Sequence, residues 1–111
     1  MILEIRQSDF FWADMLKQLD WYRDNAGADV ASRYVDAVQI TVEKLAAQPD
    51  LGRLRFGNFA ELKGIRSVRV QPPYHRHLLF YRFDRKTLFA ERVIHGARDL
   101  PRRLIQSPYN G

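Results

Sequence analysis

The chain contains no cysteine, which excludes a disulfide framework and any thiolate-based metal or redox centre. Five prolines and six glycines among 111 residues are too few for a collagenous, linker-like or low-complexity protein. No apolar run approaches the roughly 20 residues that span a bilayer, and the opening MILEIRQSDF lacks the basic-then-apolar pattern of a secretory signal. A soluble protein in the reducing cytoplasm is therefore expected. Acidic residues are scarce in the second half: residues 51–111 hold 4 Asp/Glu against 13 Lys/Arg, net +9, whereas residues 1–50 hold 9 against 5, net −4. A basic half points to an anionic partner; its plainer reading is a solvated sheet face.

What is present is one domain's worth of periodic sequence, 46% hydrophobic. Residues 2–6, ILEIR, suit a short edge strand. Ser8 and Asp9 offer N-cap chemistry. From residue 10 to about 23, Trp12, Met15, Leu16, Leu19 and Tyr22 recur at three- and four-residue intervals, an amphipathic helix. Asn25 and Gly27 break it. Ala31, Tyr34, Val38, Val42 and Leu45 then carry a second helix over residues 28–47, which Pro49 stops.

Residues 49–59 mix turn and basic residues and predict a loop. Beyond it the period becomes two: Val68 and Val70 face inward with Arg69 between them. HLLFYRF (77–83) and TLFAERVIH (87–95) are two further strands around a short hairpin loop. Gly96 ends the last, Asp99 is placed to cap a final short helix, and Pro101 falls in its first turn. Leu100, Leu104 and Ile105 form that helix's apolar side. The tail, residues 107–111, is expected to be disordered.

The predicted fold is α+β, in the order β-α-α-β-β-β-α, with an α-hairpin packed on one face of a small antiparallel sheet in two layers. The other face, rich in arginine, is expected to be open to a partner. Trp12, Tyr22, Tyr34, Phe80 and Phe83 read as core rather than as stacking platforms. His75 and His77 suit one strand face, but no third ligand follows at convincing spacing, so no metal and no cofactor are expected.

WYRDN at the end of the first helix, AGADVASRYVDAVQITVEKLAAQPDLG through the second, HLLFYRF and above all RVIHGARDLPRRL resemble, in this order, the ParE/RelE toxin superfamily. The ParE-type plasmid-stabilisation toxins are the nearer branch. The resemblance covers nearly the whole chain and implies a single toxin domain over residues 1–106. It also implies growth arrest as the toxin half of a type II toxin-antitoxin pair, with a cognate antitoxin as partner. That antitoxin is expected to fold an extended segment over the α-hairpin and a sheet edge; a homodimer or a hetero-oligomer with it is the assembly implied.

ParE-type members are associated with inhibition of DNA gyrase by binding, and RelE-type members with mRNA cleavage on the ribosome. The ribonuclease needs a base, an acid and cations on the phosphate. As the resemblance implies it, the ribonuclease pattern carries a Tyr, or His-Tyr, in the terminal segment, near where Leu104 stands here with Tyr109 beyond it, and an Arg three residues before a strand Tyr, where Leu78 stands before Tyr81 with Arg76 and His77 just upstream. Gyrase binding is therefore the preferred expectation, with Arg69, Arg98, Arg102 and Arg103 as contacts. The endoribonuclease alternative, metal-independent, uses Arg66, Arg76, His95 and Arg98, with Glu61 a further acid-base candidate. A third reading is an inactive homologue that only binds an antitoxin.

Overall fold

The computed structural model describes residues 1–96 and 99–110. The first strand, β1 (Glu4–Gln7), leads into helix α1 (Asp9–Ala26), capped by Ser8, whose hydroxyl accepts the Phe11 amide at 3.1 Å. Gly27, at φ +96°, ends α1 and begins helix α2 (Ala28–Ala47). One residue in a conformation that favours glycine thus reverses the chain. Strands β2 (Arg53–Leu54), β3 (Arg66–Arg69), β4 (His77–Phe83) and β5 (Thr87–His95) follow, then helix α3 (Arg102–Ile105). No helix among the described residues is long and apolar enough to cross a membrane.

The five strands make one sheet in the order β1-β5-β4-β3-β2. Its last four strands pair antiparallel, but β1 lies parallel to β5 over Glu4–Gln7 and Thr87–Ala90, so the sheet is mixed. The predicted loop after α2 contributes β2. Between Phe80 and Tyr81 the β4–β5 register shifts, because Arg92 opposes Phe80 while Ala90 opposes Tyr81. The extra residue, Glu91, switches the pleat. Leu88 and Ala90 before it, and Val93 after it, therefore all join the helix-side core.

That core joins Phe11, Met15, Tyr34, Val38, Val42 and Leu45 to Leu79 and Tyr81. On α1, Phe11 is fully buried, while Trp12 is 43% and Leu16 52% exposed. Met15 and Tyr22 face inward as expected, but Phe11 takes the place expected of Trp12, since Phe10, Phe11 and Trp12 are all apolar and periodicity cannot rank them. Phe83 is 36% exposed, at the end of β4.

The second sheet face is not open, contrary to expectation. Leu78, Phe80 and Ile94 project there and are covered by Leu62, Ile65 and Leu104 in a second, smaller core. Strands that are apolar on both sides need two covers, and the β2–β3 connection and α3 supply the other one. Asp99 does not cap α3 with its side chain; at φ +61° it places its carbonyl to accept the Arg103 amide at 3.0 Å. In the tail, Pro108–Asn110 form a 3-10 turn whose Tyr109 ring meets Phe10 edge-on at 5.8 Å.

Candidate functional site

Several arginines are held inside the fold. Arg92, 6% exposed, forks onto Asp14 at 2.7 and 2.9 Å. It also donates to the carbonyls of Arg103, Leu104 and Gln106. Arg82 bridges both oxygens of Glu91 at 2.5 and 2.6 Å and reaches the carbonyls of Glu61 and Lys63. Neither guanidinium is presented to a partner, and Glu61 takes part through its backbone.

The remaining candidates divide between the two ends of the sheet. Arg66 lies opposite Tyr81, donates to the Gly52 carbonyl at 2.7 Å and stands over the Phe83 ring. Arg69 ends β3 and donates to the His75 carbonyl at 3.0 Å. The Arg76 carbonyl accepts the Gly96 amide at 2.8 Å, next to His95, whose own carbonyl accepts from Arg103 at 3.2 Å. Arg76, His95 and Arg103 are thereby brought to one end, while Arg66 sits four rungs away, about 13 Å along the strand. Arg102 is exposed on α3 and pairs with Asp99 at 3.5 Å. Arg98 lies outside the described residues.

His75 and His77 do not share a strand face: His75 is exposed in the β3–β4 turn, and His77 is 1% exposed at the start of β4. The His77 ring is walled by Tyr34 at 4.8 Å and His95 at 4.8 Å, and its Nε2 bonds the Tyr22 hydroxyl at 2.9 Å. Burial, and then the neighbouring His95, push its pKa down to about 4. It is a neutral structural imidazole at neutral pH. Among the described residues no group of three or more His, Asp or Glu is placed to hold a metal ion.

Above this cluster, between α1 and the end of β5, opens a cleft of about 510 Å³. Lys17, Gln18 and Trp21 form the α1 wall, Val93 and His95 the floor, and Arg103 and Gln106 the far wall. Sequence reasoning missed Asp14, Lys17 and Trp21 as parts of a site. The available signal was Trp21, a large aromatic off the buried stripe of its helix, now 54% exposed.

The pattern of residues 5–100 matches the family described as the ParE toxin of type II toxin-antitoxin system, parDE. A solved chain of the chromosomal ParDE TA system from P. aeruginosa superposes with a TM-score of 0.70 at 18% identity, covering 86% of this chain and 98% of that one. At that identity the likeness speaks for the fold. No curated protein matches the chain. The family match extends from β1 through β5 and past His95, and on it this chain belongs to the ParE toxin family of type II toxin-antitoxin systems.

Proposed function

We propose that the chain is a toxin that inhibits DNA gyrase by binding it, without chemistry of its own, and that a cognate antitoxin restrains it in the cytoplasm. The observation that carries this reading is Leu104, 6% exposed in the second core, in the terminal segment where the resemblance leads a ribonuclease-type relative to carry a tyrosine near this position. A side chain buried there donates no proton to a leaving oxygen. The separation of Arg66 from Arg76 and His95 supports the same reading, because cations that stabilise one phosphorane must converge on it. The target contacts proposed are Arg69, Arg98, Arg102 and Arg103.

The antitoxin, in this reading, is a partly disordered chain that folds on the toxin and covers exposed apolar residues such as Leu16 and Ile40. The test is a supercoiling assay with purified gyrase beside a translating extract. Inhibition of supercoiling at micromolar toxin with intact mRNA is expected. Untouched supercoiling with cut mRNA overturns the proposal in favour of the ribonuclease. Normal growth on strong expression without antitoxin overturns it in favour of an inactive homologue.

A further inference from the structure

We propose that the outer edge of β1 pairs antiparallel with the same edge of a second copy of this chain, with Ile5 opposite Ile5 and Glu4 opposite Arg6 of the other copy. β1 ends the sheet and is paired on one side, to β5. The Glu4 amide donates to the Lys86 carbonyl at 2.8 Å and the Ser8 amide to the Ala90 carbonyl at 3.0 Å. By the alternation of a strand, the backbone groups of Ile5 and Gln7 therefore point away from β5. The Leu3 amide is taken by the Ala46 carbonyl at 2.9 Å, so the open stretch begins at the Leu3 carbonyl. A row of amides and carbonyls turned outward is a template for another strand.

The side chains make that template selective for its own copy. A twofold axis through Ile5 joins the Ile5 amide of each copy to the Ile5 carbonyl of the other, and each Gln7 amide to the opposite Leu3 carbonyl. Glu4 and Arg6 then fall at non-hydrogen-bonded positions, where facing Cα atoms approach to about 4.5 Å and side chains are nearest. Opposite charges there are a favourable cross-strand pair. Moving the axis by one residue, to Glu4 or to Arg6, sets like charges against each other, so the charges also select the register.

Both side chains are available for this pairing. Glu4 and Arg6 are exposed, and neither is in an ion pair among the described residues. Asp84, the carboxylate that feels the Arg6 charge, is already held by the amides of Lys86 and Thr87. Ile5, 37% exposed, is removed from water against its own copy. Edges that resist pairing use charge to repel their own kind; Glu-Ile-Arg attracts it. Arg69, on β3, lies three strands away across the sheet, so the dimer leaves that proposed target contact free.

Sedimentation velocity on the full chain, from micromolar to millimolar concentration, should show a reversible monomer-dimer equilibrium, weak as small interfaces are. Glu4→Arg and Arg6→Glu each set like charges across the axis and should each weaken it at least about tenfold. The swap Glu4→Arg/Arg6→Glu brings opposite charges back together and should restore the dimer. Mixing the two single variants should give a heterodimer, since one edge is then wholly cationic and the other wholly anionic. Both positions are exposed, so thermal melts within a few degrees of the parent are expected and verify folding.

A parent that stays monomeric at every concentration overturns the proposal and leaves this edge to the antitoxin or to solvent. A dimer that either single variant leaves unchanged, or that the swap does not restore, overturns it too, by placing the contact elsewhere. None of these readouts involves gyrase, so failure here and failure of the target reading are separate results.

Discussion

Asp14 and Arg92, separated by 78 positions, meet in a forked ion pair at 2.7 and 2.9 Å, and the same carboxylate accepts the Val93 amide at 3.1 Å. Beyond Ala90 the strand β5 has no β1 beside it. Its edge is closed instead by the Asp14 side chain. Arg92 continues the link by gathering the carbonyls of Arg103, Leu104 and Gln106. One buried pair thus fastens α1, β5 and the C-terminal segment together, and the cleft walls depend on it.

Removing one member of such a pair leaves the other charged and buried. Asp14→Ala is expected to destabilise the protein by about 3–5 kcal/mol, read as a lowered urea midpoint. The double variant Asp14→Ala/Arg92→Ala should lose less than the sum of the two single variants. Additive losses would show that the pair is not coupled as the geometry requires.

Two neighbouring tyrosines should respond oppositely to loss of a hydroxyl. The Tyr22 hydroxyl bonds Nε2 of buried His77 at 2.9 Å, so Tyr22→Phe orphans a ring nitrogen and should cost about 1–2 kcal/mol. The Tyr34 hydroxyl is buried with no hydrogen-bond partner among the described residues. Tyr34→Phe removes an unpaired polar atom and should be neutral or stabilising by up to about 1 kcal/mol. Equal losses in parallel thermal melts would contradict this arrangement.

The sequence discloses elements whose signal is local. Ser8 and Gly27 mark the ends of α1, and Pro49 the end of α2, because caps and breakers act within a turn. Pairings decided across the chain were not legible. The parallel seat of β1 on β5 joins segments some 80 residues apart, and no local pattern in ILEIR selects that partner. Glu91 reads as an ordinary strand residue, yet as the bulge it reverses which side chains face α1 and α2. The arginines were legible as charges but not as partners: Arg82 is drawn onto Glu91 and Arg92 onto Asp14, whereas Arg69 and Arg76 stay exposed, and no local pattern separates the two pairs.

His77 makes stability depend on pH in a predictable direction. Its folded pKa, lowered to about 4 by burial and by His95, lies below the ordinary value of about 6.5. Between those values the unfolded chain binds the proton that the folded one refuses. Stability is therefore full above about pH 6.5 and is lost progressively as pH falls towards 4. From pH 7 to 5 this group should contribute a loss of about 1–2 kcal/mol. His77→Gln should flatten that part of the profile in urea titrations at the two pH values; an unchanged slope would remove His77 as the cause.

Gly52 occupies a place where no side chain fits. A Cβ there would lie 2.6 Å from the Tyr81 hydroxyl oxygen and 2.9 Å from the Ser67 carbonyl oxygen. Tyr81 cannot swing aside cheaply, because its hydroxyl donates to the Pro49 carbonyl at 2.7 Å and accepts the Gly52 amide at 2.8 Å. Gly52→Ala should cost about 1–3 kcal/mol by overpacking. Gly57→Ala, where an added Cβ meets nothing within 4 Å, is the control expected to change the thermal midpoint little.

The proposed target contacts can be separated from folding because two of them are exposed and lightly engaged. Arg69 donates to one carbonyl, and the Arg102–Asp99 pair, 69% and 55% exposed, contributes little to stability at such a surface. Arg69→Ala/Arg102→Ala should therefore melt within a few degrees of the parent. If these guanidiniums meet gyrase, each truncation of a charge-assisted contact costs about 1.5–3 kcal/mol, roughly ten- to a hundredfold in the concentration that halves supercoiling. Charge reversal of Arg102 to Glu should do more than Ala, since it adds repulsion to the loss. Full inhibition by a folded double variant would move the contact surface away from this end of the sheet.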